Sequence, residues 1–191
     1  MVSTIVTQPA KLSLERFLEL PETEPAREYI DGVITQKPMP KGTHSRLQAK
    51  LVTVINQNVE AEKIAYAFPE LRCTFGGRSI VSDLAVFTWD RIPFTSTGRV
   101  PENFVLPPDW AIEILSPDQS PNLVIGKLLH CIQHGSSLGW FLDPNHESVL
   151  IFQGGKQPEL LRGDAPLLVL PELDLELTAA EIYSWLILNR T

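Results

Sequence analysis

The chain has 191 residues, of which 43% are hydrophobic and 20% are charged, as is usual for a soluble globular protein. This length predicts a single domain over residues 1–191, and the absence of any run of about 18 apolar residues excludes a membrane span. The formal net charge of −7 argues against strong, non-specific binding to nucleic acid, because proteins that neutralise many phosphates usually present a basic face. The two cysteines, Cys73 and Cys131, have no CxxC spacing and are expected to be buried, reduced thiols.

The first third of the chain predicts a short helix and a hairpin after a loosely ordered start. Residues 1–11 are expected to be loosely ordered, and the amino terminus lacks the basic start and apolar core of a signal peptide, so we expect a cytoplasmic protein. The stretch SLERFLELP predicts a short helix, because Ser13 can cap its start and Pro21 stops it. Two extended pieces around Asp31-Gly32 predict a hairpin, since both turn residues tolerate positive φ.

A long amphipathic helix and a group of strands follow. The helix is indicated by apolar residues at helical spacing, with Thr43 or Ser45 as its cap. These apolar residues are Leu47, Leu51, Val54, Ile55 and Val59. Three strand-like runs come next, IAYAF, LRCTF and SIVSDLAVF, and they are separated by Pro69-Glu70 and Gly76-Gly77. The segment 88–108 has no clear period and is interpreted as a long connection, a type of loop that tends to be functional or mobile.

The remaining part predicts a strand–helix–strand unit and a closing helix. The strand DWAIEIL ends at Ser116-Pro117, the helix PNLVIGKLLHCIQHGS ends at Gly135, and the strands GWFLD and SVLIFQ flank the turn Pro144-Asn145. The closing helix begins after a cap at Thr178. Because the unit over 110–142 suggests a crossover, we expect an α/β fold in which a central, bent, mixed sheet is flanked by helices on both faces.

Two of the predicted strands carry a carboxylate among apolar neighbours, Asp83 in SIVSDLAVF and Glu113 in DWAIEILSP. An ionised carboxylate inside a strand is costly unless it is paired or binds a metal, and Mg²⁺ commonly takes one or two carboxylates together with waters and a substrate phosphate. Lys127 lies within the apolar run LVIGKLLH, where its charge could offset these acids and stabilise a phosphate. The alternative is that each acid reaches water at the edge or end of its strand.

These features resemble the PD-(D/E)XK nuclease superfamily, which has the restriction-endonuclease-like fold. More closely, the chain is similar to a large family of bacterial proteins assigned as endonucleases of that fold and formerly described as a domain of unknown function. The matching pieces, in chain order, are REYIDGVI, the histidine of GTHSRLQAKLV, SDLAVF, PPDWAIEILSPD, the lysine of VIGKLLHCIQHG, GWFLDP and PELDLELTAAEIY. They run from about Glu28 to the end of the chain, and their order and spacing carry the resemblance.

The resemblance implies a hydrolase that cleaves phosphodiester bonds of DNA with Mg²⁺ or Mn²⁺ as its cofactor. It implies Asp83 and Glu113 as metal ligands, together with the main-chain carbonyl of Ile114. Lys127 would take the role of the motif's lysine, displaced to the next helix from the strand position where Leu115 stands. Because two sites cut both strands of a duplex most easily, we also expect a homodimer.

Three further residues are candidates for the same site. Glu28 matches the family's amino-terminal glutamate and would complete the acidic cluster. His44 matches a family histidine at the start of the long helix and would face the cleft. Arg78 is among the cations nearest the expected cleft and is a candidate for contact with the substrate.

The chain also departs from the family pattern. Ser82 replaces a proline, Leu123 replaces an aspartate and Cys131 replaces a tyrosine, while an aromatic pair is reduced to Gly139-Trp140. None of these changes removes an expected metal ligand. They leave open a second hypothesis, a nuclease-fold protein with weakened or lost cleavage that serves as a nucleic-acid-binding or protein-interaction module. A third hypothesis is a metal hydrolase that acts on a phosphate other than DNA.

Overall fold

The computed structural model describes residues 12–117 and 119–188. The stretch 1–11, expected to be loosely ordered, lies outside the described residues. One mixed sheet of eight strands runs through the described part. No described helix is both long enough and apolar enough to cross a membrane.

Helices and groups of strands alternate along the described part of the chain. Those of the amino-terminal half are α1 Leu14–Leu18, β1 Arg27–Ile30, β2 Val33–Gln36, α2 Gly42–Val59, β3 Ala65–Phe75 and β4 Arg78–Thr88. Those of the carboxyl-terminal half are a 3₁₀ helix Trp89–Arg91, β5 Trp110–Ile114, α3 Pro121–Gln133, β6 Leu138–Asp143, β7 Ser148–Gln153, β8 Glu159–Arg162 and α4 Ala179–Ser184.

Two of the predicted helix caps are confirmed and one is wrong. The side chains of Ser13 and Thr178 accept hydrogen bonds from main-chain N–H groups three residues further on, so they cap α1 and α4 as predicted. Helix α2 follows Lys41, whose side chain makes no capping hydrogen bond. Thr43 and Ser45 are not caps, because α2 begins at Gly42 and both residues lie inside its first turn.

The strand predictions are confirmed in part. The hairpin β1–β2 turns at Asp31 and Gly32, which both have positive φ, as expected. The runs IAYAF and LRCTF are not two strands but one continuous strand, β3, that pairs with β4 along its whole length. Strand β8 had no signal in the sequence, because it is a short edge strand whose residues are mostly exposed.

The sheet branches at β4. Its strand order is β2-β1-β4-β5-β6-β7-β8, and β3 pairs with β4 off this path. Because β3 occupies one edge of β4, strands β1 and β5 must share the other: Tyr29 of β1 lies opposite Ser79, and Ile112 of β5 lies opposite Leu84. Between these two contacts β1 and β5 part, which leaves a fork. The β5–α3–β6 unit forms the predicted parallel crossover.

Helices cover both faces of the sheet, which confirms the predicted layer arrangement. Residues at helical spacing on α2, including Leu47 and Leu51, pack with α4 against one face, where Leu84 and Ile112 are fully buried. Helix α3 packs against the other face through Leu128. The cysteines on this second face are both free and buried, as the sequence predicts.

Candidate active site

Three carboxylates lie in a row across three neighbouring strands. Strand β3 pairs with β4 so that Pro69 faces Leu84 and Leu71 faces Ser82, which sets Glu70 opposite Asp83. The pairing of β4 with β5 has Leu84 opposite Ile112. Continued by one residue, that register sets Asp83 opposite Glu113. Like charges directly opposite each other destabilise a sheet, so this row requires compensating cations.

Two lysines supply these cations at the fork. The N–H of Val81 on β4 donates a 2.8 Å hydrogen bond to Oε1 of Glu28, which comes from β1. The carbonyl oxygen of Val81 accepts hydrogen bonds from both Lys37, at 3.0 Å, and Lys127, at 3.2 Å. Side chains therefore satisfy the main-chain groups that a neighbouring strand would otherwise pair, and they bring both ammonium groups to one point.

Asp83 is buried, and both of its carboxylate oxygens accept hydrogen bonds. Its Oδ1 accepts a 2.7 Å hydrogen bond from Lys37, and its Oδ2 accepts one of 2.7 Å from the N–H of Ile114. The Nε2 atom of His44 lies 3.0 Å from the same Oδ2. Burial alone would raise the pKa of Asp83, but the charge of Lys37 and the contact with His44 outweigh it and hold the pKa well below its usual range. Asp83 is therefore ionised at neutral pH.

Glu113 is only 1% exposed, and burial raises its pKa to about 7 although Lys127 acts in the opposite direction. Its Oε2 accepts a 3.0 Å hydrogen bond from Lys127. Its Oε1 lies 2.9 Å from the same ammonium group but lacks hydrogen-bond geometry towards any described group. One oxygen of Glu113 thus keeps a lone pair that could bind a cation.

The alternative that each strand acid reaches water is wrong, because Asp83 is only 2% exposed and Glu113 is as deeply buried. Their charges are met instead by the two lysines. Burial would lower the pKa of Lys127, but Glu113 and Glu28, 2.8 Å from its ammonium group, raise the pKa above its usual value. Burial would also lower the pKa of Lys37, but the neighbouring carboxylate of Asp83 outweighs it, so the pKa of Lys37 is raised. Both lysines are therefore charged.

Helix α2 contributes two polar side chains to the Asp83 end of the cluster. His44 is buried, and its Nδ1 atom has no hydrogen-bond partner among the described groups. Gln48, one helical turn further on, donates hydrogen bonds to the main-chain oxygen of Asp83 at 2.9 Å and to Oε1 of Glu70 at 3.1 Å. The start of α2 therefore fixes both the side chain and the main chain of Asp83.

Two cavities open onto the cluster. One, of about 330 Å³, is lined by Asp83, His44 and Glu70 among others. The second, of about 520 Å³, is lined by Glu28 and Lys127 and by apolar side chains of β1, β2 and α3. Three residues line both cavities and so stand between them, namely Lys37, Pro38 and Gln119.

The structure brings together most of the residues singled out in the sequence. Asp83, Glu113, Lys127, Glu28 and His44 are joined by the contacts above, and the main chain at Ile114 is bonded to Asp83. Arg78 is placed elsewhere, in an ion pair with Asp31 in which Nε and Nη2 donate hydrogen bonds of 2.9 and 2.6 Å.

Sequence reasoning missed Lys37, Glu70 and Gln48. Lys37 follows β2 at the start of a proline-rich segment, where an exposed lysine is the usual outcome. Glu70 follows Pro69, and the pair Pro69-Glu70 locally indicates a break between two strands. Gln48 had one usable signal, since it lies four residues after His44 and therefore on the same face of α2.

The donor set suits a hard cation. Within the described ranges, no three His, Cys, Asp or Glu side chains are grouped to hold a metal ion by themselves. Asp83 and Glu113 nevertheless offer carboxylate oxygens on neighbouring strands, one of them without a hydrogen bond. Mg²⁺ and Mn²⁺ accept such a set, because they take one or two carboxylates and complete their coordination with water, main-chain oxygen or substrate.

Comparison with known proteins identifies a family and a solved structural relative. The family model described as Uma2, putative restriction endonuclease, matches residues 14–180. A crystal structure described as a putative nuclease belonging to DUF820 from Anabaena variabilis is 47% identical in sequence and superposes with a TM-score of 0.91. The match covers 92% of this chain and 99% of that chain. No curated protein matches. The predicted fold and resemblance are confirmed.

Proposed function

Because the chain belongs to the Uma2 family, described as putative restriction endonucleases, we propose that it is a metal-dependent endonuclease that hydrolyses phosphodiester bonds of DNA. The observation that carries this proposal is the pair Asp83 and Glu113, which lie opposite each other at the fork of the sheet beside Lys127. The stability of the strands does not require charged groups this deeply buried, since replacement of buried ion pairs by apolar residues is often neutral or stabilising.

Asp83 and Glu113 would hold Mg²⁺ or Mn²⁺, together with the main-chain carbonyl of Ile114. When bound, the metal would supply an activated water and neutralise charge on the phosphate. The protein's own part is to keep Asp83 ionised and oriented. Before the cation binds, Lys37, His44 and the N–H of Ile114 perform this task through the contacts described above.

Lys127 would provide the fixed positive charge beside the scissile phosphate or the attacking water. Its ammonium group is held 2.8 Å from Glu28 and 2.9 Å from Glu113, so its position is set before any substrate arrives. A preorganised charge of this kind stabilises a transition state without reorganisation during the reaction. Glu28 acts as a positioning residue, because it binds both Lys127 and the N–H of Val81.

We further propose that the active form is a homodimer, because two such sites cut both strands of a duplex most easily. Sedimentation equilibrium of the purified protein tests this proposal. A dimer at micromolar concentration is expected, and a monomer at all concentrations would contradict it.

A second candidate is a nuclease-fold module that no longer cleaves. It is supported by Leu123, which is 66% exposed where the family has an aspartate, and by the net charge of −7. Titration calorimetry with Mn²⁺ separates the two candidates. The endonuclease must bind the cation through Asp83 and Glu113, whereas a module that retains DNA or protein binding without Mn²⁺ binding supports the alternative.

The direct test of the proposal is conversion of supercoiled plasmid to nicked circles. We expect conversion with Mg²⁺ or Mn²⁺ and none with a chelator. If purified protein leaves the plasmid intact with either cation at every salt concentration, the proposed activity is refuted.

A further inference from the structure

We infer that Lys37 is a built-in counter-ion that occupies the Asp83 carboxylate until a divalent cation binds, and that Glu70 then retains its ammonium group. The inference rests on the proposed function, because it concerns the same metal site. It adds a positioning lysine and a positioning carboxylate that the sequence motifs do not contain.

The first argument is that Lys37 is already bound as a cation would be. Its Nζ atom lies 2.7 Å from Oδ1 of Asp83, 2.9 Å from Oε2 of Glu70 and 3.0 Å from the carbonyl oxygen of Val81. An ammonium group has three N–H donors, so all three are used. Its side chain is 6% exposed, which makes the interaction with Asp83 strong and poorly screened by salt.

The second argument is that Asp83 cannot bind a metal through Oδ1 while Lys37 stays where it is. Oδ2 is held by the N–H of Ile114 and by His44, which are fixed by the strand and the helix. The cation must therefore approach Oδ1, the oxygen that Lys37 occupies. Two positive charges a few ångströms apart repel each other strongly at low dielectric, so the ammonium group has to withdraw.

The third argument is that Glu70 is suited to receive it. Glu70 lies opposite Asp83 in the strand register and has a φ of 50°, which is uncommon for a residue other than glycine. This backbone conformation is sustained in the middle of a strand at the site, as is frequent near functional groups. Its side chain is 42% exposed and lines the 330 Å³ cavity, so it can follow the lysine as the lysine moves.

The fourth argument is the contrast with Lys127. Its two carboxylate partners, Glu113 and Glu28, have side chains that are only 2% and 7% exposed, so no solvent-facing group is available to draw it away. Lys37 has one buried partner and one exposed partner, and it lines both cavities. Lys37 is therefore the mobile lysine of the two.

The test is a double-mutant cycle on Mn²⁺ affinity, measured by titration calorimetry. Lys37→Met removes the competing charge, and we expect Mn²⁺ to bind about tenfold more tightly, the size of a typical coupling between neighbouring sites. Glu70→Gln removes the receiving group, and we expect about fivefold weaker binding for the same reason. In the Lys37→Met background, Glu70→Gln is expected to have no further effect.

Two matched controls account for charge alone. Lys156→Met removes an exposed lysine that hydrogen-bonds Gln153, and Glu24→Gln removes a carboxylate that lines the same cavity as Glu70. Neither is expected to change the affinity by more than about twofold, because exposed charges are screened. Circular dichroism checks that each variant is folded, and Lys37→Gln, which keeps a hydrogen-bond donor for Val81, replaces Lys37→Met if that variant does not fold.

Several results would overturn the inference. Unchanged or weaker Mn²⁺ binding in Lys37→Met shows that the lysine does not compete. If Glu70→Gln weakens Mn²⁺ binding equally in both backgrounds, Glu70 is a metal ligand instead. If the Glu70→Gln single variant binds Mn²⁺ with unchanged affinity, Glu70 does not retain the ammonium group of Lys37. Absence of Mn²⁺ binding in every variant also refutes it. Nicking assays on the same preparations distinguish the two proposals. Tighter Mn²⁺ binding by Lys37→Met, with no plasmid nicking by any of the preparations, supports the inference and refutes the proposed nuclease activity.

Discussion

The carboxylate of Asp83 replaces a strand partner for Ile114, whose main-chain N–H donates a 2.7 Å hydrogen bond to Oδ2. This bond ties the side chain of β4 to the residue next to Glu113 on β5. The two acids are therefore held in a fixed relation at the point where the strands begin to part. A site built on strands in this way is held more precisely than one built on loops.

Mn²⁺ affinity is expected to decrease as the pH falls below about 7. Burial raises the pKa of Glu113 to about 7, so below that pH the group is protonated and must lose its proton before it can bind a cation. Above it the group is already ionised. Asp83 does not contribute in this range, because its pKa is well below the usual value. We expect about a tenfold loss of affinity per pH unit below pH 7 and a plateau above it.

Titration calorimetry between pH 5.5 and 8.5 measures this dependence. Repetition in buffers with different ionisation enthalpies reports the proton released on binding, which is expected to decrease towards zero at the alkaline end. Equal affinity at pH 6 and pH 8 would show that Glu113 is not a ligand with a raised pKa.

Neutralisation of Lys127 is expected to reduce the nicking rate far more than neutralisation of Arg78. Lys127→Met removes the ammonium group between Glu113 and Glu28, and we expect the nicking rate to fall by about 100-fold or more, as for the loss of a preorganised charge. Arg78→Gln breaks an ion pair with Asp31 outside the cluster, and we expect a rate within about twofold of the original, since partly exposed pairs contribute little.

Plasmid nicking rates for both variants, with circular dichroism to confirm that they are folded, provide the comparison. A tenfold or larger loss in Arg78→Gln would instead support its initial assignment as a substrate contact.

The tip of the β3–β4 hairpin provides a test of the fold itself. Gly76 and Gly77 both have positive φ, so alanine at either position costs about 1 kcal/mol in backbone strain. A Cβ atom on Gly76 would also clash with the imidazole ring of His134, nearest to its Nε2 atom, whereas the space around Gly77 is open. We expect Gly76→Ala to lower the free energy of unfolding by about 1–3 kcal/mol more than Gly77→Ala does.

Urea denaturation measures both values. His134→Ala should remove most of the additional loss in a double variant with Gly76→Ala. Equal destabilisation by the two single substitutions would mean that His134, which follows helix α3, does not pack against Gly76.

Most of the fold was predictable because its elements carry local signals. Apolar residues at helical spacing mark α2, and Asp31-Gly32 marks the β1–β2 hairpin. The break expected at Pro69-Glu70 is absent because β3 is an edge strand, where proline is tolerated, and its pairing with β4 overrides the local turn signal.

The sequence predicts only those site residues whose charge is unusual among the apolar neighbours in their own strand. Asp83 and Glu113 interrupt apolar runs, so the free-energy cost of burying their charges is evident from the sequence. Lys37 and Glu70 occupy segments in which charged residues are ordinary, and their role depends on the fork in the sheet and on the register of β3 against β4. Long-range pairing of this kind leaves no local pattern.

The measurement that tests the central claim most directly is the rate of plasmid nicking in Mn²⁺ by Asp83→Asn compared with the unmodified protein. The substitution keeps the shape of the side chain but removes the charge that would bind the metal. The proposal predicts cation-dependent nicking by the unmodified protein and a loss of about 100-fold or more in the folded variant. Nicking by Asp83→Asn at the original rate, or none by the unmodified protein, would contradict it.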